Sequence, residues 1–251
     1  MINTGYAAGT DSEKFYYFNP DSSQSNLTRL KQEMERFLDK KDLVLNFQPF
    51  AKYHDFHREM LENIPAFVFL PDWYYQQSKK KSKLKPLLQP VHKGRTTYRK
   101  VLLTSQDSTL TLQGLSNKLL AITTMGNETP DLLDRLLFNQ FKIKSNSLNI
   151  IMTPKDSDAL FALAVGQVNA ALVSKNNLQR IGRINPRILQ IVRPLAESQP
   201  IPLPILCAGN GKVLDEKIME LKKIFLEAND SDDSADLMEM LQIDAWHNYA
   251  R

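Results

Sequence analysis

Residues Asp158–Asn177 read DALFALAVGQVNAALVSKNN, which spells a helix, a tight stop and a buried strand with a polar tip. Leu160, Phe161, Leu163 and Ala164 follow helical spacing, Gly166 ends the turn, and Val168 to Val173 form an apolar run of strand length. A helix feeding a strand that is apolar on both faces predicts a doubly wound α/β domain.

Upstream, Phe15 to Asn19 reads as an aromatic strand that stops at Asn19-Pro20. The polar loop to Ser25 leads into a helix with Leu27, Leu30, Met34, Phe37 and Leu38 on one face. That loop sits where a first β-α turn would face a ligand. Leu43 to Phe47 gives a second strand, Tyr53 to Glu62 a second helix, and Ala66 to Leu70 a third, wholly apolar strand. Three strands with two intervening helices predict a parallel sheet. Beyond Pro71-Asp72-Trp73-Tyr74-Tyr75 and the basic run Lys79 to Lys85, a strand pair is expected. It joins Leu87–Val91 to Thr97–Thr104 through a turn at His92-Lys93-Gly94-Arg95, and crosses between two domains.

Leu119 to Thr123 reopens the α/β pattern. A loop from Thr124 to Glu128 and a helix from Thr129-Pro130 to Phe141 follow, the proline suiting a first helical turn. Asn149 to Met152 is a further strand. Past the opening stretch, Ile188 to Arg193 reads as a strand, and the prolines of Pro200 to Cys207 hold an extended return to the first domain. Residues 213–228 and 233–241 close the chain as amphipathic helices. The expected division is a discontinuous first lobe, 14–104 plus 199–251, and a second lobe, 108–198. A cleft between them suits hinge closure around a ligand.

Composition agrees with a globular protein. At 251 residues and 42% hydrophobic content the chain can build one large or two ordinary cores. A net charge of +4, from 32 basic and 28 acidic residues, implies neither nucleic acid nor membrane binding. Cys207 is the only cysteine, so no intramolecular disulfide forms, and its apolar setting predicts a buried structural thiol. No segment approaches the ~18 consecutive apolar residues of a membrane span. The first ten residues, MINTGYAAGT, lack the basic start and apolar core of a secretory signal, so for an exported protein the signal is expected to have been removed.

Four blocks resemble the phosphonate-binding-like family of periplasmic solute-binding proteins. They are Phe67 to Tyr75, similar to the family's third strand and ligand loop; Pro90 to Leu103, PVHKGRTTYRKVLL, similar to its crossing hairpin; Leu119 to Leu137; and Asp158 to Asn177. The last carries the ALA-x-G-x-V-[DN]-A-A wording, and MLQIDAW resembles the family's final helix and tail. The resemblance implies an α/β, two-lobed type II periplasmic-binding-protein fold, each lobe a mixed sheet flanked by helices, with two hinge crossings. It further implies periplasmic location, a membrane transporter component as partner, and ligand capture rather than catalysis. A monomer is expected, without cofactor, metal or nucleic acid.

The chain departs from the family at the ligand. Where phosphonate binders carry a loop of the S-T-S-G type, it reads Gly126-Asn127-Glu128-Thr129-Pro130. Glu128 brings negative charge and Pro130 lacks an N–H. Like charges at about 4 Å and an effective dielectric of ~20 repel by roughly 4 kcal/mol, about three decades of affinity. Where aminophosphonate binders hold the ligand ammonium with acidic residues stand Asn169 and Ser174, and Ser157 or Asp158 replaces a histidine. What remains is aromatic, Tyr53, Trp73, Tyr74, Tyr75 and Tyr98. Glu128 and Asn176 or Asn177 are the expected polar anchors, and Asn127, Thr129, Asp158 and Ser174 are further candidate ligand contacts. An amphipathic or apolar ligand, lipid or sterol-like, is therefore expected. The alternatives are a phosphonate or phosphate ester, and a sensing or interaction domain.

His54, Asp55 and His57 could share a helical face, but the sequence announces no further ligands, so a surface pair is expected rather than a metal site. The lysine run reads as a solvated loop. No G-x-S-x-G, phosphate loop or G-x-G-x-x-G occurs.

Overall fold

The computed structural model describes residues 13–250 apart from 23, 25, 80–83 and 210. The first sheet starts with β1 (Lys14–Tyr17), α1 (Leu27–Asp39), β2 (Asn46–Pro49), α2 (Tyr53–Glu62) and β3 (Phe67–Leu70). β1 lies between β2 and β3 and parallel to both, as the alternation of strand and helix predicts. Asn26 caps α1 by accepting from the Arg29 N–H, and the helix buries Leu30, Met34, Phe37 and Leu38.

After β3 the chain departs from its sequence reading. Asp72–Ser78 is a helix, α3, rather than a ligand loop, and it buries Trp73 and Tyr74. Next come β4 (Leu84–Val91), β5 (Thr97–Tyr98) and β6 (Lys100–Ser105). The expected hairpin is absent: the His92–Arg95 turn holds one isolated bridge, β4 stays in the first sheet, and β6 joins the second. Positions 80–83 of the lysine run lie outside the described residues.

The second sheet adds β7 (Leu119–Thr123) and α4 (Thr129–Leu133), which continues through a wide turn at Asp134–Phe138 and a tight one at Asn139–Phe141. Then follow β8 (Asn149–Thr153), α5 (Asp156–Ala164), β9 (Ala170–Ser174), α6 (Lys175–Ile184), α7 (Arg187–Ile191) and β10 (Val192–Glu197). The strand order is β10-β6-β9-β7-β8; β7 is parallel to β8 and β9, and β6 is antiparallel to β9 and β10. The decisive stretch folds as its spacing predicts, with Gly166 at a φ of 75° and every residue of β9 buried. The expected strand at Ile188–Arg193 is instead α7 and the start of β10, and the expected polar tip, Lys175 to Asn177, opens α6.

The proline-rich return is extended as expected. β11 (Ile201–Pro202) pairs antiparallel with β5, forming a two-stranded hinge, and β12 (Ile205–Gly209) rejoins the first sheet between β3 and β4. After α8 (Asp215–Glu227) and α9 (Ala235–Leu241), β13 (Ala245–Asn248) covers the free edge of β4. The first sheet is therefore ordered β13-β4-β12-β3-β1-β2.

Phe15, Phe67, Phe225 and Trp246 anchor a core within the first lobe, and Leu103, Leu160 and Val173 one within the second. A third apolar cluster spans both lobes, joining Phe56, Trp73 and Tyr74 to Ile122, Met125 and Leu132. The lobes are thus in contact. No helix among the described residues is long and apolar enough to cross a membrane.

Candidate functional site

The loops that follow β7, β8 and β9 leave the second sheet at its strands' carboxyl ends, facing the first lobe. Ligands of open α/β sheets bind in this position. β6 runs the opposite way, so its first residue, Lys100, stands opposite Ser174, the last residue of β9. Lys100 is 1% exposed. Its Nζ donates to Thr123 Oγ1 at 2.6 Å, at the end of β7, and lies 3.4 Å from Asp156 Oδ1 at the start of α5.

The third partner of Lys100 comes from the other lobe. In the turn after β1, Asn19 Oδ1 accepts from the Asp21 N–H at 3.2 Å, and Asp21 reaches across. Its Oδ1 accepts from Lys100 Nζ at 2.6 Å and from the Thr123 hydroxyl at 2.5 Å; its Oδ2 accepts from the Tyr98 hydroxyl at 2.5 Å. Asn177 completes the tie, its Nδ2 donating to the Asp21 carbonyl at 2.8 Å and to Asp156 Oδ2 at 2.9 Å. Asp156 Oδ2 also accepts from the Ser174 N–H at 2.8 Å.

Burial and charge oppose each other here. Burial pulls the Lys100 ammonium pKa down, but Asp156 and Asp21 outweigh it and hold the value above that of an ordinary lysine. Burial raises the Asp156 carboxyl above the usual range against the pull of Lys100, with Asp21 adding to the rise. Burial, then the Asp21 charge, pushes Tyr98 far up, so its hydroxyl remains a donor. Lys100 Nζ, Thr123 Oγ1 and Tyr98 OH together form a set of donors around one anionic group.

A second interlobe contact involves the loop between β7 and α4. Gln77 Nε2 donates to the Met125 carbonyl at 3.0 Å, and the Asn127 backbone hydrogen-bonds the Tyr53 hydroxyl. The loop spends three amides on itself: Met125 N–H on Thr129 Oγ1, Gly126 N–H on Thr124 Oγ1, and Thr129 N–H on the Gly126 carbonyl.

Of the residues singled out from sequence, Tyr98, Ser174 and Asn177 meet around Asp21 and Lys100. Tyr53, Trp73, Asn127 and Thr129 belong to the second contact. Tyr74 packs on Phe56 inside the first lobe, with its hydroxyl 3.0 Å from His57 Nδ1. Glu128 stands exposed at the N-cap position of α4 without a side-chain cap bond, and Asp158 is exposed on α5 two residues beyond the carboxylate that enters the site. The expectation of a greasy, uncharged gap is overturned by a buried lysine between two carboxylates. Between the lobes a cavity of about 40 Å³ remains beside Asn19, Asp21, Tyr98 and Ser174, room for a few waters. Sequence reasoning missed Asp21, Lys100, Thr123 and Asp156; their position at strand ends facing the first β-α turn was the available signal. Among the described residues no group of three or more His, Cys, Asp or Glu side chains could hold a metal ion. Cys207 is fully buried, as expected, and burial raises its pKa.

A family model described as the periplasmic substrate-binding protein of phosphonate ABC transporters matches residues 16–249. A binding protein component of an ABC phosphonate transporter from Pseudomonas aeruginosa superimposes with a TM-score of 0.78 at 14% identity, over 95% of this chain and 82% of that one. PhnD1 from Prochlorococcus marinus, solved with methylphosphonate, gives 0.78 at 12% identity over 94% and 92%. The aliphatic sulphonate binding protein SsuA from Escherichia coli gives 0.54 at 14% identity over 92% and 79%. No curated protein matches the chain by sequence.

Proposed function

Since this chain belongs to the family of periplasmic substrate-binding proteins of phosphonate ABC transporters, we propose that its solute is a small oxyanion of the phosphonate class, held between the lobes. One observation carries the reading: Lys100, buried in the cleft with the Thr123 and Tyr98 hydroxyls beside it, presents a cation and two neutral donors to a single anionic group. Such charge-assisted bonds, made where water is excluded, are the strong ones. The family membership and the methylphosphonate bound to PhnD1 support the same class. The proposed seat lies on Lys100 rather than on the loop after β7, where the amides of Met125, Gly126, Asn127 and Thr129 are already hydrogen-bonded within the protein. The lobes follow the sheets, with the β5–β11 pair as the hinge between them, and closure would present the loaded form to the membrane component of the transporter.

Isothermal titration tests this. Methylphosphonate is expected to bind the native protein saturably and to lose at least about tenfold in affinity with Lys100→Met, which removes a charge-assisted bond. Absence of binding to the native protein at millimolar ligand, or equal binding by the variant, removes the reading. A second reading, a sensing or interaction domain, draws on the way Asp21, Gln77 and Tyr53 already bridge the lobes. It is favoured if no small anion binds.

A further inference from the structure

We propose that Asp21 is a tethered stand-in for the solute: its carboxylate closes the empty protein by occupying the oxyanion seat, and it must leave before a solute can take Lys100, Thr123 and Tyr98. This rests on the ligand class proposed above and adds to it a residue that sets affinity.

Both Asp21 oxygens are used as a bound anion's would be. Oδ1 takes the ammonium and a hydroxyl, and Oδ2 takes a second hydroxyl, at 2.5–2.6 Å. A phosphonate offers three oxygens on one atom, two of which can take the places of the Asp21 oxygens, so the same donors can serve it without rearranging. The origins of the groups matter. Lys100 and Thr123 belong to the second sheet and Tyr98 to the hinge, whereas Asp21 lies in the first lobe, in the turn after β1. Breaking its three bonds therefore removes the charged tie between the lobes and frees the seat in the same event, leaving the Gln77 and Tyr53 contacts and the shared apolar cluster as what remains to be parted.

Charge favours an exchange over an addition. With Asp21 in place, Lys100 already faces two carboxylates, Asp21 at 2.6 Å and Asp156 at 3.4 Å. A further anion would leave one buried cation among three negative groups, a heavily penalised state. Replacing Asp21 by a singly charged oxyanion leaves the balance as it is. Space leads to the same conclusion, because the cavity beside Asp21 is only about 40 Å³. It adjoins, through Asn176, Gln242 and Ile243, an outer groove of about 440 Å³ lined in part by Lys93, Arg180 and Arg183. This groove is the route by which an anion would enter as Asp21 swings out.

A binding-competent fraction of about 1–10% raises the apparent dissociation constant about 10- to 100-fold. Removing the internal carboxylate should recover that factor. The test uses the full chain as native protein, Asp21→Ala and Asp21→Asn, the second keeping the side chain's shape should the first fail to fold. Small-angle scattering without solute reports closure, and titration with methylphosphonate, inorganic phosphate and methanesulfonate reports affinity. The native protein is expected to scatter as a closed particle. The variants are expected to have a larger radius of gyration and to bind methylphosphonate about 10- to 100-fold more tightly. Variants as compact as the native protein, or variants that bind an anion but no more tightly than it does, overturn the proposal. Variants that open yet bind none of the three anions uphold the Asp21 clasp and overturn the ligand class. Equal binding by native protein and variants upholds the class and overturns the clasp.

Discussion

Tyr98 connects the hinge to the seat, and it shares a property with other tyrosines of this protein. Burial raises the pKa of Tyr17 to about 12, and burial first among several causes raises Tyr16 to about 12 and also raises Tyr53, Tyr74 and Tyr98. Each holds its proton more firmly folded than unfolded. Their stabilising contribution is complete below pH ~10, the unfolded value, and is lost as the pH rises through the folded values. Ultraviolet titration should therefore show at least four of the eight tyrosines, Tyr16, Tyr17, Tyr74 and Tyr98, still un-ionised at about pH 10.5 in the native protein and released together when alkali or denaturant unfolds it. Ordinary titration of those four near pH 10 contradicts this. At this scale the site was half legible. Ser174 ends a strand that reads unmistakably as buried, and Asn177 follows it in the first turn of α6, so both could be placed. Lys100 follows Arg99 in a strand with polar neighbours, where a solvated lysine is the default, and only the opposing Asp21 and Asp156 make its burial tolerable. The sequence points to Asp158 as a helix-start residue, whereas α5 begins two residues earlier than its apolar spacing suggests and Asp156 is the carboxylate that enters the site.

Among the elements, the loop between β7 and α4 is the most constrained by its neighbour across the cleft. Gly126 has a φ of +79°, and a Cβ there would lie 2.6 Å from Gln77 Oε1 and 2.9 Å from Trp73 Cζ3. Gln77 can rotate away; the indole, packed between the lobes, has less freedom. Gly126→Ala should therefore carry two costs, about 1–3 kcal/mol of backbone strain and the loss of the α3 contact. Gly94→Ala separates them, since its φ of +69° imposes similar strain while nothing lies within 4 Å. Calorimetry should place the Gly126→Ala melting temperature several degrees below that of Gly94→Ala; equal values would show that the loop does not bear on α3. The helices missed in sequence have local causes. Trp73, Tyr74 and Tyr75 favour strands by propensity, yet Asp72–Ser78 becomes helical so that two of these rings can bury. In α6, Gly182 interrupts a polar pattern and leaves room for the Leu189 side chain from α7.

For the whole molecule, the order of strands and helices was legible because buried parallel strands are continuous apolar runs and prolines mark the hinge return. Pairing across distance was not. β4 was read as half of a hairpin, whereas β12 and β13, more than a hundred residues away in sequence, are its partners. The same limit hid the clasp, since Asp21 and Lys100 are 79 residues apart. The molecule that results closes on its own carboxylate, with a buried lysine as the fixed point against which either Asp21 or a solute can rest. A crystal structure grown with methylphosphonate measures this most directly. The account predicts phosphonate oxygens within hydrogen-bonding distance of Lys100 Nζ and Thr123 Oγ1, with the Asp21 carboxylate turned away. A phosphonate seated on the amides of residues 125–129, with Asp21 still on Lys100, would contradict it.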